Sequence, residues 1–184
     1  MEHFLEHPKN IGAMMSSPRN YASAYISKEP LKALKWATSY ATALFFLFMA
    51  SFEMHVPGYW YVLGIVSIAV GCAASSAPLY WLNKKHGLTY VQATALNLIA
   101  IGITYTIPVL YWWLVGLSDE MPALVSIVQL GLTAYFGYYV VPAMLSELTG
   151  KSIWRSIGSL LFAGVLTAFG LFVLLFAAMG LAGV

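Results

Sequence analysis

Apolar residues in this chain fall into five long runs separated by short polar breaks, over about 36–52, 59–82, 89–115, 123–145 and 152–180. Each is of the length a helix needs to cross a hydrocarbon core ~30 Å thick, about 20 residues. The polar breaks have the chemistry of helix ends. In Leu82–Gln92, Lys84 and Lys85 would be very costly in hydrocarbon, so the stretch lies in water. Gly87 suits the left-handed position after a helix end. Thr89 and Gln92 have capping-box spacing for the next helix. The predicted fold is all-α: a polytopic membrane protein of five transmembrane helices, preceded by residues 1–35.

Residues 1–35 hold five of the nine basic residues, with prolines at 8, 18 and 30 and apolar residues between them. This mixture predicts short amphipathic helices lying at the membrane surface, broken at the prolines. On this reading the segment is separable, and deleting residues 1–30 leaves the five-helix core folded. Pro78, Pro108 and Pro142 are expected to kink their spans. The last 33 residues would extend ~50 Å as one helix, so the fifth helix is expected to start before the bilayer or to fray at Gly180 and Gly183.

Composition agrees with the pattern. The chain is 60% hydrophobic and 9% charged, against about 25% charged for soluble domains. A water-soluble domain is thereby excluded. Glu2 and Glu6 stand where a signal peptide would be basic, and the first apolar run begins only near Trp36. Cys72 is the single cysteine, so no disulfide forms within the chain.

Charge then orients the spans. Lys9, Arg19, Lys28, Lys32 and Lys35 precede the first span; Lys84 and Lys85 follow the second; Lys151 and Arg155 lie around the fourth loop. The first loop (with Glu53 and His55), the third loop (with Asp119 and Glu120) and the C-terminus hold no Lys or Arg. Five spans therefore place all nine basic residues on one side. The positive-inside rule makes that side cytoplasmic and the C-terminus external, as in a bacterial inner membrane.

Candidate chemistry inside the spans is sparse. No ionisable Asp, Glu, Lys, Arg or His lies within a span interior, whereas proton-coupled and ion-coupled transport usually needs one. No cofactor, catalytic residue or metal site is expected. His3 and His7 are spaced i, i+4, but two ligands beside Pro8 make a poor metal site. Ser67, Gly71 and Ser75 form a small-residue stripe at four-residue spacing, which permits close helix packing around Gly71. Asn97 and Gln129 are read as hydrogen-bonding glue between helices.

The segments Ser17-Pro-Arg-Asn-Tyr and Glu29-Pro-Leu-Lys-Ala-Leu-Lys-Trp lead into the first span. They are followed by the turns His86-Gly-Leu-Thr-Tyr-Val-Gln-Ala and Thr149-Gly-Lys-Ser-Ile-Trp-Arg-Ser. With five spans and a proline late in the third, this arrangement resembles the bacterial Yip1-domain membrane proteins. The resemblance implies a non-enzymatic protein that organises membrane or binds partners, and it carries no catalytic residues. The expected working surface is the basic cytoplasmic face: Arg19, Lys28, Lys32, Lys35, Lys84, Lys85, Lys151 and Arg155. Its expected partners are anionic lipid headgroups and a membrane-protein partner or oligomer, with no nucleic acid. Two further readings are an accessory subunit of a respiratory or photosynthetic complex, and a carrier for a neutral or lipidic solute.

The orientation is directly testable. A topology reporter fused after Val184 is expected to be active only on the non-cytoplasmic side. Cytoplasmic activity would mean that the span count or the orientation is wrong.

Overall fold

The computed structural model describes residues 10–51, 58–116 and 122–182. Among these residues helices dominate and no strand occurs. A short helix α1 covers 10–16, followed by α2 (Pro18–Tyr21) and a widened π-type turn, Ala22–Ser27. Long helices follow: α3 (Pro30–Ser51), α4 (Gly58–Asn83) and, after a 3₁₀ turn at Lys84–His86, α5 (Tyr90–Gly116). The chain continues as α6 (Pro122–Tyr135), a second π-type turn (Phe136–Val140), α7 (Val141–Thr149) and α8 (Ile153–Ala182). Five stretches are long and apolar enough to cross a membrane: Pro30–Ala50, Tyr61–His86, Tyr90–Tyr111, Ser126–Thr149 and Ile153–Leu174. His3, His7, Lys9 and the loop residues Glu53, His55, Asp119 and Glu120 lie outside the described residues.

The helix boundaries have local causes. Gly87 and Gly150 both take positive φ, +84° and +65°, a conformation in which a Cβ would be strained. At the start of α5 the Thr89 N–H donates to Gln92 Oε1 (2.9 Å), and the Gln92 N–H donates to Thr89 Oγ1 (3.3 Å). Two backbone donors left over at the helix start are satisfied reciprocally. Ser152 caps α8 more simply, its Oγ accepting from the Arg155 N–H at 3.4 Å. The two turns answer one capping problem in the same way.

The expected boundaries shift in three places. Helix α3 starts at Pro30, not Trp36, because proline suits a first helical position where its missing N–H costs nothing. Lys32 and Lys35 therefore stand on the opening turns of α3. Helices α4 and α5 continue through Pro78 and Pro108, whereas at Pro142 the chain widens into the π-type turn just before it. That turn makes room where a proline ring would meet the carbonyl of the preceding helical turn. Helix α8 runs past Gly180 to Ala182.

Helix α5 is the centre of the bundle. Half of its span is buried, against 6% for α8. It packs most extensively on α3, and also meets α4 and α6. A Cβ at Gly102 would run into the Tyr40 ring of α3, and one at Gly64 into the Phe45 ring. The Tyr40 hydroxyl then pairs with Thr106 Oγ1 at 2.9 Å. The close approach expected at Gly71 is corrected by this geometry: a Cβ there meets nothing within 4 Å. Small residues permit approach only where a neighbouring helix presents a knob, and α3 presents its rings at Gly64 and Gly102 instead.

The N-terminal segment belongs to the core. Met14, Ala22 and Ile26 are wholly buried and Tyr21 nearly so, with α2 and the first π-type turn packed against α7 and that turn also against α3. The Tyr135 hydroxyl donates to the Met15 carbonyl at 2.7 Å. Tyr21 stacks on Tyr25 (5.6 Å between centroids) and meets Trp36 edge-on at 6.0 Å. Trp36 in turn stacks on Tyr40 at 5.1 Å, which carries the contact to α5. Burying one such apolar side chain is worth about 1.5–3 kcal/mol. The exposed Lys32–Glu29 pair (3.3 Å) is worth about 0–1 kcal/mol at best. Apolar packing therefore holds the segment in place, and removing it would uncover α7. The expected separable surface segment is thus packed into the bundle from Met14 to Ile26.

These contacts separate two glycines that look alike in the sequence. Gly102→Ala is expected to lower thermal stability by the roughly 1–3 kcal/mol of an overpacked core. Gly71→Ala should leave it within about 0.5 kcal/mol. Melting of both purified variants in one detergent checks the contrast.

Candidate functional site

The basic residues of the described chain assemble at one end of the bundle, where α3, α5 and α8 begin and α4 and α7 end. Arg19, Lys28, Lys32, Lys35, Lys84, Lys85 and Arg155 are exposed there, and Lys151 is half-buried. The two turns are tied to each other. Lys151 Nζ donates to Asn83 Oδ1 at 2.6 Å, and Asn83 Nδ2 donates to the Leu79 carbonyl at 2.9 Å. The Ser146 hydroxyl donates to the Lys151 carbonyl at 2.6 Å. Asn83 is wholly buried, so its amide, satisfied on both sides, fixes where the end of α4 sits against the α7–α8 turn.

Electrostatics at this end follow from the packing. Burial, and then the neighbouring Arg155 charge, lower the Lys151 ammonium from the ordinary lysine value. Burial pushes the Tyr21 phenol up, and Tyr25 adds to the effect. Among the described residues the Tyr21 hydroxyl has no hydrogen-bond partner. Lys32 Nζ also lies 5.7 Å from the centre of the Tyr25 ring. The result is a surface with exposed cations around a buried aromatic cluster.

The residues singled out within the spans are distributed differently. Asn97 Nδ2 donates to Ser75 Oγ (3.3 Å) and Ser76 Oγ (3.0 Å), joining α5 to α4. Ser67 is exposed, and Gln129 is half-buried on α6, away from that cluster. Sequence reading missed Asn83 and Ser146. An amide directly before Lys84-Lys85, at the last turn of an apolar run, was the available signal, because a polar residue there can cap and clamp. Nothing in the sequence indicated that Lys151 would be its partner, 68 residues away.

Among the described residues, apolar cavities flank the central helices. One of about 270 Å³ lies between α3 and α4 over α5, and includes Thr38, Cys72 and Thr94. Another of about 270 Å³ lies on the same side around Gly64 and Gly71. A smaller one, about 140 Å³, separates α5 from α6 around Thr104 and Thr133. Neither Asn97 nor Gln129 lines any of the three. Among the described residues no group of three His, Cys, Asp or Glu is placed to hold a metal ion.

No protein-family model, curated protein or solved structure matches the chain.

The clamp between the two turns can be measured. Asn83→Leu and Lys151→Met are each expected to destabilise the protein by about 1–3 kcal/mol, the cost of leaving a buried polar partner unpaired. The double variant should lose less than the sum, with a coupling of about 0.5–3 kcal/mol in a double-mutant cycle. Strict additivity would show that the bond contributes nothing.

Proposed function

We propose that this is a non-enzymatic, multi-pass membrane protein, resembling Yip1-domain proteins, that organises membrane or recruits partners through its basic end, which faces the cytoplasm. One observation carries the reading. The N-terminal segment is anchored by Met14, Tyr21, Ala22 and Ile26 against the bundle, while its Arg19 and Lys28 and the neighbouring Lys32 and Lys35 remain exposed. A segment held this way presents its charges on a rigid platform and avoids the ordering cost of a flexible tail. Each basic residue near an anionic surface contributes ~1 kcal/mol of attraction. Tyr25 and the exposed Leu31 add apolar contacts beside those charges, which makes recruitment selective.

A second reading, an accessory subunit of a larger membrane complex, is favoured by α8. Its span is 6% buried where the other four are 17–50% buried. Leu161, Val165, Phe169, Phe172 and Phe176 all project from it uncovered. Lipid would cover such a face equally well, so the basic platform remains the reading we prefer.

The two surfaces are separable by experiment. Replacing Arg19, Lys28, Lys32 and Lys35 together with Gln should abolish retention of co-purifying proteins from native membranes while melting is unchanged. Asn97→Leu with Gln129→Leu should retain them. The opposite pattern would move the working site into the bilayer and favour the carrier reading.

A further inference from the structure

The cations where α4 ends and α8 begins lack counter-charges. Lys151 Nζ donates to Asn83 Oδ1 (2.6 Å), which brings the α7–α8 turn to the last turn of α4, next to Lys84. Arg155, four residues after Lys151, is close enough for its charge to act on the Lys151 ammonium. Among the described residues no carboxylate pairs with Lys84, Lys151 or Arg155. Glu147, on the last turn of α7, is exposed and pairs with none of them. Asn83 offers Lys151 only a neutral oxygen. A half-buried ammonium beside a guanidinium, with no protein carboxylate to offset either, is a place where an outside anion is stabilised.

The surroundings of these cations say which anion. Trp154 is 78% exposed on the first turn of α8, and Trp81 is 61% exposed on the last turn of α4. Exposed tryptophan is favoured where headgroups meet hydrocarbon. Farther along α8, Leu161 and Val165 follow Trp154 by two and three helical turns, so they share its face, and both are exposed. Gly158 lies between Trp154 and Leu161 on that face, and a Cβ there would meet nothing within 4 Å, so the ridge has a gap. A soluble anion would need the cations alone. Here the cations continue into an apolar strip on the same helix, which matches an amphiphile. We propose that the α4–α8 corner of the basic end binds one anionic glycerophospholipid, its phosphate held by Lys84, Lys151 and Arg155 and an acyl chain lying along Trp154, Leu161 and Val165. This rests on the reading that the basic end meets an anionic leaflet, but it uses none of the platform cations Arg19, Lys28, Lys32 and Lys35.

The test titrates the purified full chain with phosphatidylglycerol, with phosphatidylcholine of identical chains, and with inorganic phosphate, the adducts being counted by native mass spectrometry. The anionic lipid is expected to be retained about tenfold over the zwitterionic one, and inorganic phosphate not at all. Lys84→Gln with Arg155→Gln should bring the ratio near one while melting is unchanged; both side chains are exposed, and the Lys151–Asn83 bond is left in place. Gly158→Phe, which fills the gap, should lower the adducts of both lipids. Arg19→Gln with Lys28→Gln should keep the preference. Equal retention of the two lipids, retention of inorganic phosphate, a preference that survives the loss of Lys84 and Arg155, adducts unchanged by Gly158→Phe, or a preference abolished by the Arg19 and Lys28 changes would each overturn the proposal. So would loss of co-purified protein from the Lys84 and Arg155 variant at an unchanged lipid ratio, which would assign the corner to a protein. The platform reading fails on protein retention by other cations, so the two fail separately.

Discussion

The packing of α3 on α5 is the contact on which the other helices depend. It is made by rings set against glycine: Tyr40 covers Gly102, and its hydroxyl bonds Thr106. Where no water competes, shape and a single well-placed hydrogen bond hold helices together, because apolar surface has no reason to prefer protein over lipid tails. From this seam α4 and α6 are positioned as flanking walls, and α8 is carried at the periphery on α4 and α7. Bare apolar side chains gather on this peripheral helix.

The basic end depends on a different balance. Buried polar groups gather at the ends of the helices that meet there: Asn83, Gln92, Ser146, Thr149 and Ser156. The Lys151–Asn83 bond closes the two turns against each other, and Ser146 holds the Lys151 carbonyl. The aromatic series Tyr25, Tyr21, Trp36 and Tyr40 links the N-terminal segment to α3 and so to the central seam. A segment that composition alone assigns to the membrane surface is thereby built into the bundle, because its apolar residues find helices to cover.

Openings in the bundle follow from the same geometry. One lies between α3 and α4 over α5. Two of the threonines in its lining, Thr38 and Thr94, are bonded to their own helical carbonyls.

Much of this was legible in the residues themselves. Runs of about twenty apolar residues dictate helices long and apolar enough to cross a bilayer. Gly87 with Thr89 and Gln92 dictates a turn through local backbone chemistry, which depends on neighbours only three residues apart. Contacts between distant residues were not legible. Gly71 sits in an inviting stripe, yet the knobs lie at Gly64 and Gly102, because helix rotation is set by packing that no single run encodes. Likewise Lys151 reads as a surface charge until the fold brings Asn83 to it. Local hydrogen bonding and transfer energy are properties of the sequence, whereas the pairing of faces between helices was decided only by the tertiary structure, where shape must match across elements far apart in the chain.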